Sequence, residues 1–560
     1  MPHYDAGVPT TLAPYPDRTL LDYLADLARD RPNQPALLFK GATITWTELE
    51  RLSDACASAF AALGIKRGDR VALLLPNCPQ FSIAQFAAWK LGAIVAPLNP
   101  IYTEHELEGP LREHGIETIL TLTRFYDRVK RVQPRTPVRR VIATNIKEHF
   151  PLALKVLFTL LREKRDGDRI ALAPGDHDFA HLLLVNRGRR PARVSLSAGD
   201  SAVLLMSGGT TGTPKGVLGT HGAYVMAGLQ VRAWNAPALG TDSSKDVIFV
   251  PLPLFHVYAN VGSQSFGLIH GAPLALVPNP RDLADLLATI RRVKPTLFNG
   301  VPTLYIGLLN HPDVKSGKVS FSSIKVCFSG AAPLLADTKQ RFEALTGARI
   351  VEGYSLTEAM MATCLNPIEG ENKLGSVGLP LPDVTVRVFD GDEGIRVMPT
   401  KEVGEIALSG PQLMVGYWNR PEETANVLRD HVDELGTRRW LHTGDLGYLD
   451  EDGYLFIVDR KKDLIKTSGF QVWPREIEEV LAKHPSVAEV GVAGVPDATK
   501  GEAVKAWVVL RAGTAASEEE LRKFCREQLA PYKVPSHVAF RAELPKTMVG
   551  KVLRRALRDE

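Results

Sequence analysis

The chain has 560 residues, 67 basic against 63 acidic side chains, 45% hydrophobic residues and a mean hydropathy of −0.05. That length exceeds one simple core, and the mix of apolar and charged residues excludes a disordered or fibrous chain. The five cysteines lie far apart with no CxxC pair, which argues against a disulfide framework or a cysteine zinc site and suits a reducing setting.

Met1–Asp5 has no basic segment leading into an apolar core, so no secretory signal is expected. Arg70–Leu75 (RVALLL) predicts a buried strand, Phe81–Leu91 a helix and Ala93–Leu98 the next strand. Strand, helix, strand at this spacing argues for a parallel sheet with helices packed on it. From Arg124 to Arg193, 17 Lys or Arg stand against 7 Asp or Glu, a net of +10 within a chain whose total is +4. Seven of those cations fall in Arg124–Arg140, and the apolar stretch Phe150–Leu161 follows them. The α/β rhythm returns at Ala202–Met206, Asp285–Val293, Thr296–Phe298, Ser323–Ser329 and Lys339–Leu345. Val247–Pro280 lacks Asp, Glu, Lys and Arg, but Pro251, Pro253, Pro273 and Pro278, with Asn260 and Gln264, predict buried strands and turns, not a membrane helix. Short strands broken by Gly, Pro and Asp between Val384 and Tyr454 predict a small β-rich subdomain. Beyond the charged joint Asp459–Asp463, a helix from Pro474, strands at Val487–Val495 and Val504–Leu510 and a helix from Glu518 to Gln528 predict a separate α+β domain.

The most informative segment is Ser207-Gly208-Gly209-Thr210-Thr211-Gly212-Thr213-Pro214-Lys215-Gly216, directly after the strand Ala202–Met206. Glycines let backbone N–H groups approach phosphate oxygens, hydroxyls add donors or metal contacts, and Lys215 adds positive charge. Pro214 before the lysine and Gly216 after it separate this loop from the GxxxxGK[ST] type. The loop closely resembles the phosphate-binding signature of adenylate-forming enzymes, the group that holds acyl-CoA synthetases, coumarate–CoA ligases, luciferases and peptide-synthetase adenylation domains. Further family motifs follow in order: Pro253–His256, Glu352–Glu358, Thr443–Asp445, Asp459–Asp463 and Pro545–Lys551. With Trp46–Leu49 and Gly68–Val71 the likeness covers nearly the whole chain.

The resemblance implies an α/β fold: a large N-terminal domain of parallel-sheet subdomains plus a small β-rich subdomain, residues 1–459, then a hinge at 460–463 and a mobile α+β C-terminal domain, 464–560. It implies two-step activation of a carboxylate. The acid attacks the α-phosphate of ATP and expels pyrophosphate, and a thiol then takes the acyl group while AMP leaves. Anion approaches anion in the first step, so the site needs positive charge and a metal. By resemblance Glu358, with Thr210 or Thr211, holds Mg²⁺. Tyr354 stacks near the adenine, in a segment with Gly353, Ser355 and Thr357, against a wall at Gly330, Ala331 and Ala332. Asp445 accepts from the ribose hydroxyls with Arg460 beside it. Lys551 bridges the carboxylate and the α-phosphate. Lys462 is the hinge, and the segment with Lys466, Gly469 and Gln471 faces the site when the thiol arrives. His256 falls in the gate motif between nucleotide and acyl pocket, with a core histidine as its bland alternative. The acyl pocket runs after His256, through Tyr258, and around Asn299 and Gly300.

The apolar or small residues after His256, with no charge to meet an amino group, suit an aliphatic acid. The motifs look most like bacterial long-chain fatty-acid–CoA ligases, whereas Ile465-Lys466 and Gln471 look more like coumarate–CoA ligases, so an aryl or medium-chain acid stays open. The chain ends soon after Lys551 with no carrier domain, so free CoA is the expected acceptor. The insertion usual in fatty acyl-AMP ligases is not found in Asp459–Gly469. A nucleotide sensor and a luciferase-like oxygenase are the readings from other classes. A cytoplasmic enzyme is expected, and relatives are often homodimers. The basic and apolar region fits either a peripheral contact with anionic lipid or a helix packed on its own domain with a solvated basic face. No nucleic-acid motif is present.

Overall fold

A computed structural model describes residues 3–192, 194–207, 214–240, 242–391, 394–433, 436–467, 470–497, 499–547 and 550–558. The chain forms two compact units, one of Met1–Leu374, Leu379–Val384 and Ser409–Leu428, the other of Gly375–Gly378, Thr385–Leu408 and Arg429–Glu560. The charged joint at 459–463 lies inside the second unit.

The first unit is built on two large sheets. One has eight strands, parallel from Ser201–Met206 through Ile94–Pro97, Arg70–Leu74, Thr118–Leu122 and Arg140–Thr144 to His177–Asp178. Gly216–Thr220 and Gly416–Tyr417 extend its other edge in antiparallel fashion. The second sheet has nine strands, parallel from Arg349–Leu356 through Val326–Ser329, Leu297–Gly300, Ile248–Val250 and Leu274–Leu276 to Pro35–Phe39. After its first residue, a strand such as Arg70–Leu74 is apolar and buried because helices cover both faces of a parallel sheet.

The helix Pro79–Lys90 carries Gln80, Ser82 and Gln85, yet every residue but Lys90 is buried. Ser82 and Gln85 find partners across the core. The Ser82 hydroxyl donates to Gln264 Oε1 at 2.6 Å, and Gln85 Nε2 donates to Asn260 Oδ1 at 3.0 Å. This explains the polar residues in the charge-free stretch 247–280. The expectation of strands and turns there is corrected in its middle: Val257–Ala259 and Phe266–His270 are α-helical with a π-helical turn, Asn260–Ser265, between them. Among the described residues, no helix is long and apolar enough to cross a membrane.

The second unit holds two five-stranded sheets. The first orders Thr385–Phe389, Gly404–Ser409, Gly436–Leu449 and Leu428–Asp433, with Leu455–Arg460 also on Gly436–Leu449. In the other, Val487–Asp497 and Gly501–Leu510 form a long antiparallel ribbon, and the helices Pro474–Ala482 and Glu518–Arg526 bury Ile477, Leu481, Leu521 and Cys525 against it.

Candidate active site

The glycine-rich loop joins antiparallel strands, Ser201–Met206 and Gly216–Thr220, and its ends are pinned where Ser207 N–H donates to the Lys215 carbonyl at 2.9 Å. Gly208, Gly209, Thr210, Thr211 and Gly212 lie outside the described residues. Gly216 has no room for a side chain, because a Cβ there would collide with the buried ring of His114.

Lys215 sits in a charged cluster that sequence reasoning did not assemble. Its ammonium pairs with Glu423 and lies 4.8 Å from the centroid of the Tyr417 ring. Arg420 also binds Glu423, at 2.7 Å, and reaches Glu113 at 2.8 Å. The Tyr417 hydroxyl donates to Glu358 Oε1 at 2.9 Å, while the Glu358 carbonyl accepts from Met414 N–H at 2.9 Å. Burial and the adjacent Glu358 carboxylate push the Tyr417 phenol far above its usual range, so it stays a donor. The ammonium of Lys215 and the guanidinium of Arg420 hold Glu423 below the usual carboxylate range. The expected metal and phosphate groups, Glu358 and Lys215, are thus joined through Tyr417. The cluster was not legible in the sequence, because Glu113 and Glu423 carry no local signature.

The segment Gly353-Tyr354-Ser355 is not the turn its composition suggests. It continues the strand Arg349–Leu356, which leaves the parallel sheet and pairs antiparallel with Met361–Leu365, with an irregular register between Tyr354 and Ser355. Gly353 is required there because a Cβ would strike the Leu365 side chain. Thr357 and Glu358 lie in the turn that follows. Beside this strand, Ala331 holds a left-handed φ of +69°, a conformation that strains a residue with a Cβ. Ala332 follows it in the same loop.

Gly330, Gly353, Tyr354 and Ser355, expected on the nucleotide side, line the same cavity as Tyr258 and Asn299, expected on the acyl side. The cavity is otherwise apolar, with Val231, Phe266, Leu297 and Phe328 among its walls. The Ser329 hydroxyl, buried on its wall, has no hydrogen-bond partner among the described residues. Asn299 Nδ2 donates to Ser263 Oγ at 2.9 Å, and the Tyr258 hydroxyl reaches the Gly300 carbonyl at 3.4 Å. Met361 lies over Gly262, where any side chain would displace its thioether. Gly262 and Met361 escaped sequence reasoning, since neither residue belongs to a motif. His256 caps the helical turn after it, its Nδ1 accepting from Tyr258 N–H at 3.3 Å.

In the second unit, Asp445 lies opposite Arg460 on neighbouring strands, with Arg460 Nε 3.1 Å from Asp445 Oδ1. Lys551 is set on a tight turn closed by Thr547 N–H to its carbonyl at 2.8 Å, with Gly550 at φ +77°. Burial pulls the Lys551 ammonium down to about 7, helped by the positive charges of Arg460 and Arg554 and opposed by Asp445 and Asp463. Three predicted residues, Asp445, Arg460 and Lys551, therefore act on one another. Arg554, missed in the sequence, binds Asp459 at 2.9 Å, Asp463 at 3.0 Å and Glu478 at 2.8 Å. Lys462 is exposed on the short 3₁₀ turn between those aspartates. Lys466 is exposed on the strand Ile465–Thr467, and its backbone pairs with that of Gln471. Gly469 lies outside the described residues.

This geometry agrees with the comparisons. The AMP-binding enzyme family matches residues 24–418, and the AMP-binding enzyme C-terminal domain matches residues 476–551. The chain belongs to the AMP-binding enzyme family. It is 41% identical over 563 residues to a long-chain-fatty-acid–CoA ligase of Bacillus subtilis, covering 100% of this chain and 97% of that protein. It is 35% identical over 550 residues to 4-coumarate–CoA ligase 2 of rice, Oryza sativa, covering 96% and 92%. Among solved structures, the anthranilate CoA ligase AuaEII in complex with anthranoyl-AMP superposes with a TM-score of 0.82 at 26% identity, covering 97% of each chain.

Proposed function

We propose that this AMP-binding enzyme converts a long-chain fatty acid, ATP and CoA to acyl-CoA, AMP and pyrophosphate through an acyl adenylate. The observation that carries the reading is the apolar cavity in which expected nucleotide and acyl residues share one wall. It suits an aliphatic chain, with Gly330, Gly353 and Tyr354 at the end where the carboxyl group meets the nucleotide. The full-length similarity to a fatty-acid ligase supports the choice of acid.

In the adenylation step Lys551 places its ammonium between the carboxylate and the α-phosphate, while Asp445 and Arg460 orient the ribose. A carboxylate suits a diol and repels phosphate, which selects one direction for the nucleotide. Lys551 is drawn down to about 7 without substrate, so arriving anions restore its proton as they bind. Lys215 and the loop from Ser207 take the β- and γ-phosphates. Turning at Lys462 then brings Lys466, Gly469 and Gln471 to the thiol.

The donor set fits Mg²⁺. Glu358 offers a hard carboxylate oxygen, and Mg²⁺ is commonly held by one or two carboxylates plus substrate phosphates. The described residues contain no cluster of three His, Cys, Asp or Glu able to hold a metal by themselves. Glu358, with Thr210, would hold the ion, which supplies charge neutralisation at the phosphates. The same reading makes the enzyme cytoplasmic and homodimeric, in peripheral contact with anionic membrane.

Purified protein with ATP, Mg²⁺ and CoA, offered medium- and long-chain fatty acids and coumarate together, tests the reading by mass spectrometry of the products. Acyl-CoA chiefly from the long-chain acids, with AMP, is expected. Coumaroyl-CoA as the main product, or acyl-AMP without thioester, would overturn the acid or the acceptor.

A further inference from the structure

The helix Leu152–Leu161 (LALKVLFTLL) is strongly apolar, yet none of its residues is buried. Leu152 is 78% exposed, Leu160 76% and Leu161 62%, with Val156 and Leu157 about half exposed. Spacings of three and four residues put this row on one face. The opposite side anchors the helix: the Phe158 ring meets Phe150 edge-on at 5.7 Å, and Lys147 Nζ reaches Thr159 Oγ1 at 2.9 Å and Glu163 at 2.6 Å. A helix packed on its own domain turns its leucines inward and its charges outward. This one does the reverse.

The basic charge divides on inspection. In the Arg124–Arg140 block, Arg131 pairs with Glu104, Arg135 with Glu108, Arg140 with Glu117 and Arg124 with Asp168. That block is largely neutralised. Lys155, on the helix, and Arg162, Lys164 and Arg169, just after it, form no ion pair among the described residues, and the last three are exposed.

We propose that this helix and its cations dock on an anionic lipid bilayer. Ten residues make a helix of about 15 Å, too short to span a bilayer but suited to lie in its interface with lysine and arginine at headgroup level. A second copy of the chain fits less well, because a symmetric contact through this face brings its own unpaired cations together. The value of docking rests on the fatty-acid reading above, since a long-chain acid partitions into bilayers and is met there.

The test is co-sedimentation of the full chain with phosphatidylglycerol-containing or pure phosphatidylcholine vesicles at low and high salt. Wild type binds the anionic vesicles and is released by salt. Leu157→Asp with Leu160→Asp weakens binding at least tenfold. Arg162→Gln, Lys164→Gln and Arg169→Gln together remove the preference for anionic lipid, at about fivefold per charge. Since all five native cysteines are buried, Leu160→Cys takes an environment-sensitive fluorophore alone, and its emission shifts to the blue on anionic vesicles. Acyl-CoA formation from octanoate without vesicles, equal in wild type and variants, shows that they fold. Its absence from wild type would count against the ligase reading and leave vesicle binding to be judged separately. Equal binding by the leucine variant, no binding by wild type, or a lipid-free dimer dissolved by the leucine substitutions would overturn the docking proposal.

Discussion

In the first unit Lys215 rests on Glu423 and over the Tyr417 ring, whereas in the second Lys551 is enclosed beside Arg460 and Asp445 with its ammonium drawn down to about 7. The first lysine is paired with a carboxylate, which the nucleotide phosphates must replace. The second, drawn down to about 7, gives up part of its charge near neutral pH while the site is empty and recovers it from the anions it serves. A cation charged only opposite its substrate offers the stronger differential interaction, which is what accelerates a chemical step. One lysine is arranged for binding and the other for chemistry.

The comparison breaks hardest at Lys551. Lys551→Ala lowers adenylate formation by about 10³-fold, as expected for loss of a group aimed at developing charge, yet leaves thioester formation from supplied acyl-AMP within a few fold. Equal loss in both half-reactions would place Lys551 elsewhere in the cycle. On the Lys215 side the effects are smaller and fall on binding. Tyr417→Phe removes one hydrogen bond to the Glu358 carboxylate and raises KM for MgATP by about tenfold, with kcat little changed, in steady-state kinetics. A fall in kcat alone would separate Tyr417 from the nucleotide. In the apolar cavity of the first unit, Gly262→Leu fills the space Met361 covers and shifts preference from palmitate toward octanoate by about tenfold in kcat/KM. An unchanged chain-length profile would put the acyl chain on another path. The mildest probes act on Lys551 through its neighbours. Asp445 holds its ammonium up and Arg460 pushes it down, so Asp445→Asn moves the midpoint of the pH profile below about 7 and Arg460→Ala moves it above. Shifts in the same direction would show that Lys551 does not govern the profile.

Much of the site was legible because its residues sit in contiguous motifs. The loop ends at Ser207 and Lys215, the Asp445–Arg460 pair and Lys551 all belong to motifs readable in the sequence. Strands such as Arg70–Leu74 were equally plain, since four of their five side chains are buried. What escaped is non-local. Glu113, Glu423 and Arg554 matter through partners far along the chain, which no spacing rule detects. The helical turn at Asn260–Ser265 was hidden because Asn260 and Gln264 pair with Gln85 and Ser82 on another helix. The Gly353–Ser355 turn was misread because glycine there answers a close approach by Leu365, not a reversal of the chain.

The central claim is that Lys551, charged only at need, drives adenylation of a long-chain acid. Palmitate-dependent exchange of pyrophosphate into ATP, followed from pH 6 to 9, addresses it most directly. Above about 7 the free enzyme holds Lys551 neutral, so kcat/KM declines as pH rises through that value, and Lys551→Ala shows no exchange. Exchange that persists in Lys551→Ala, or that coumarate supports and palmitate does not, would contradict the account.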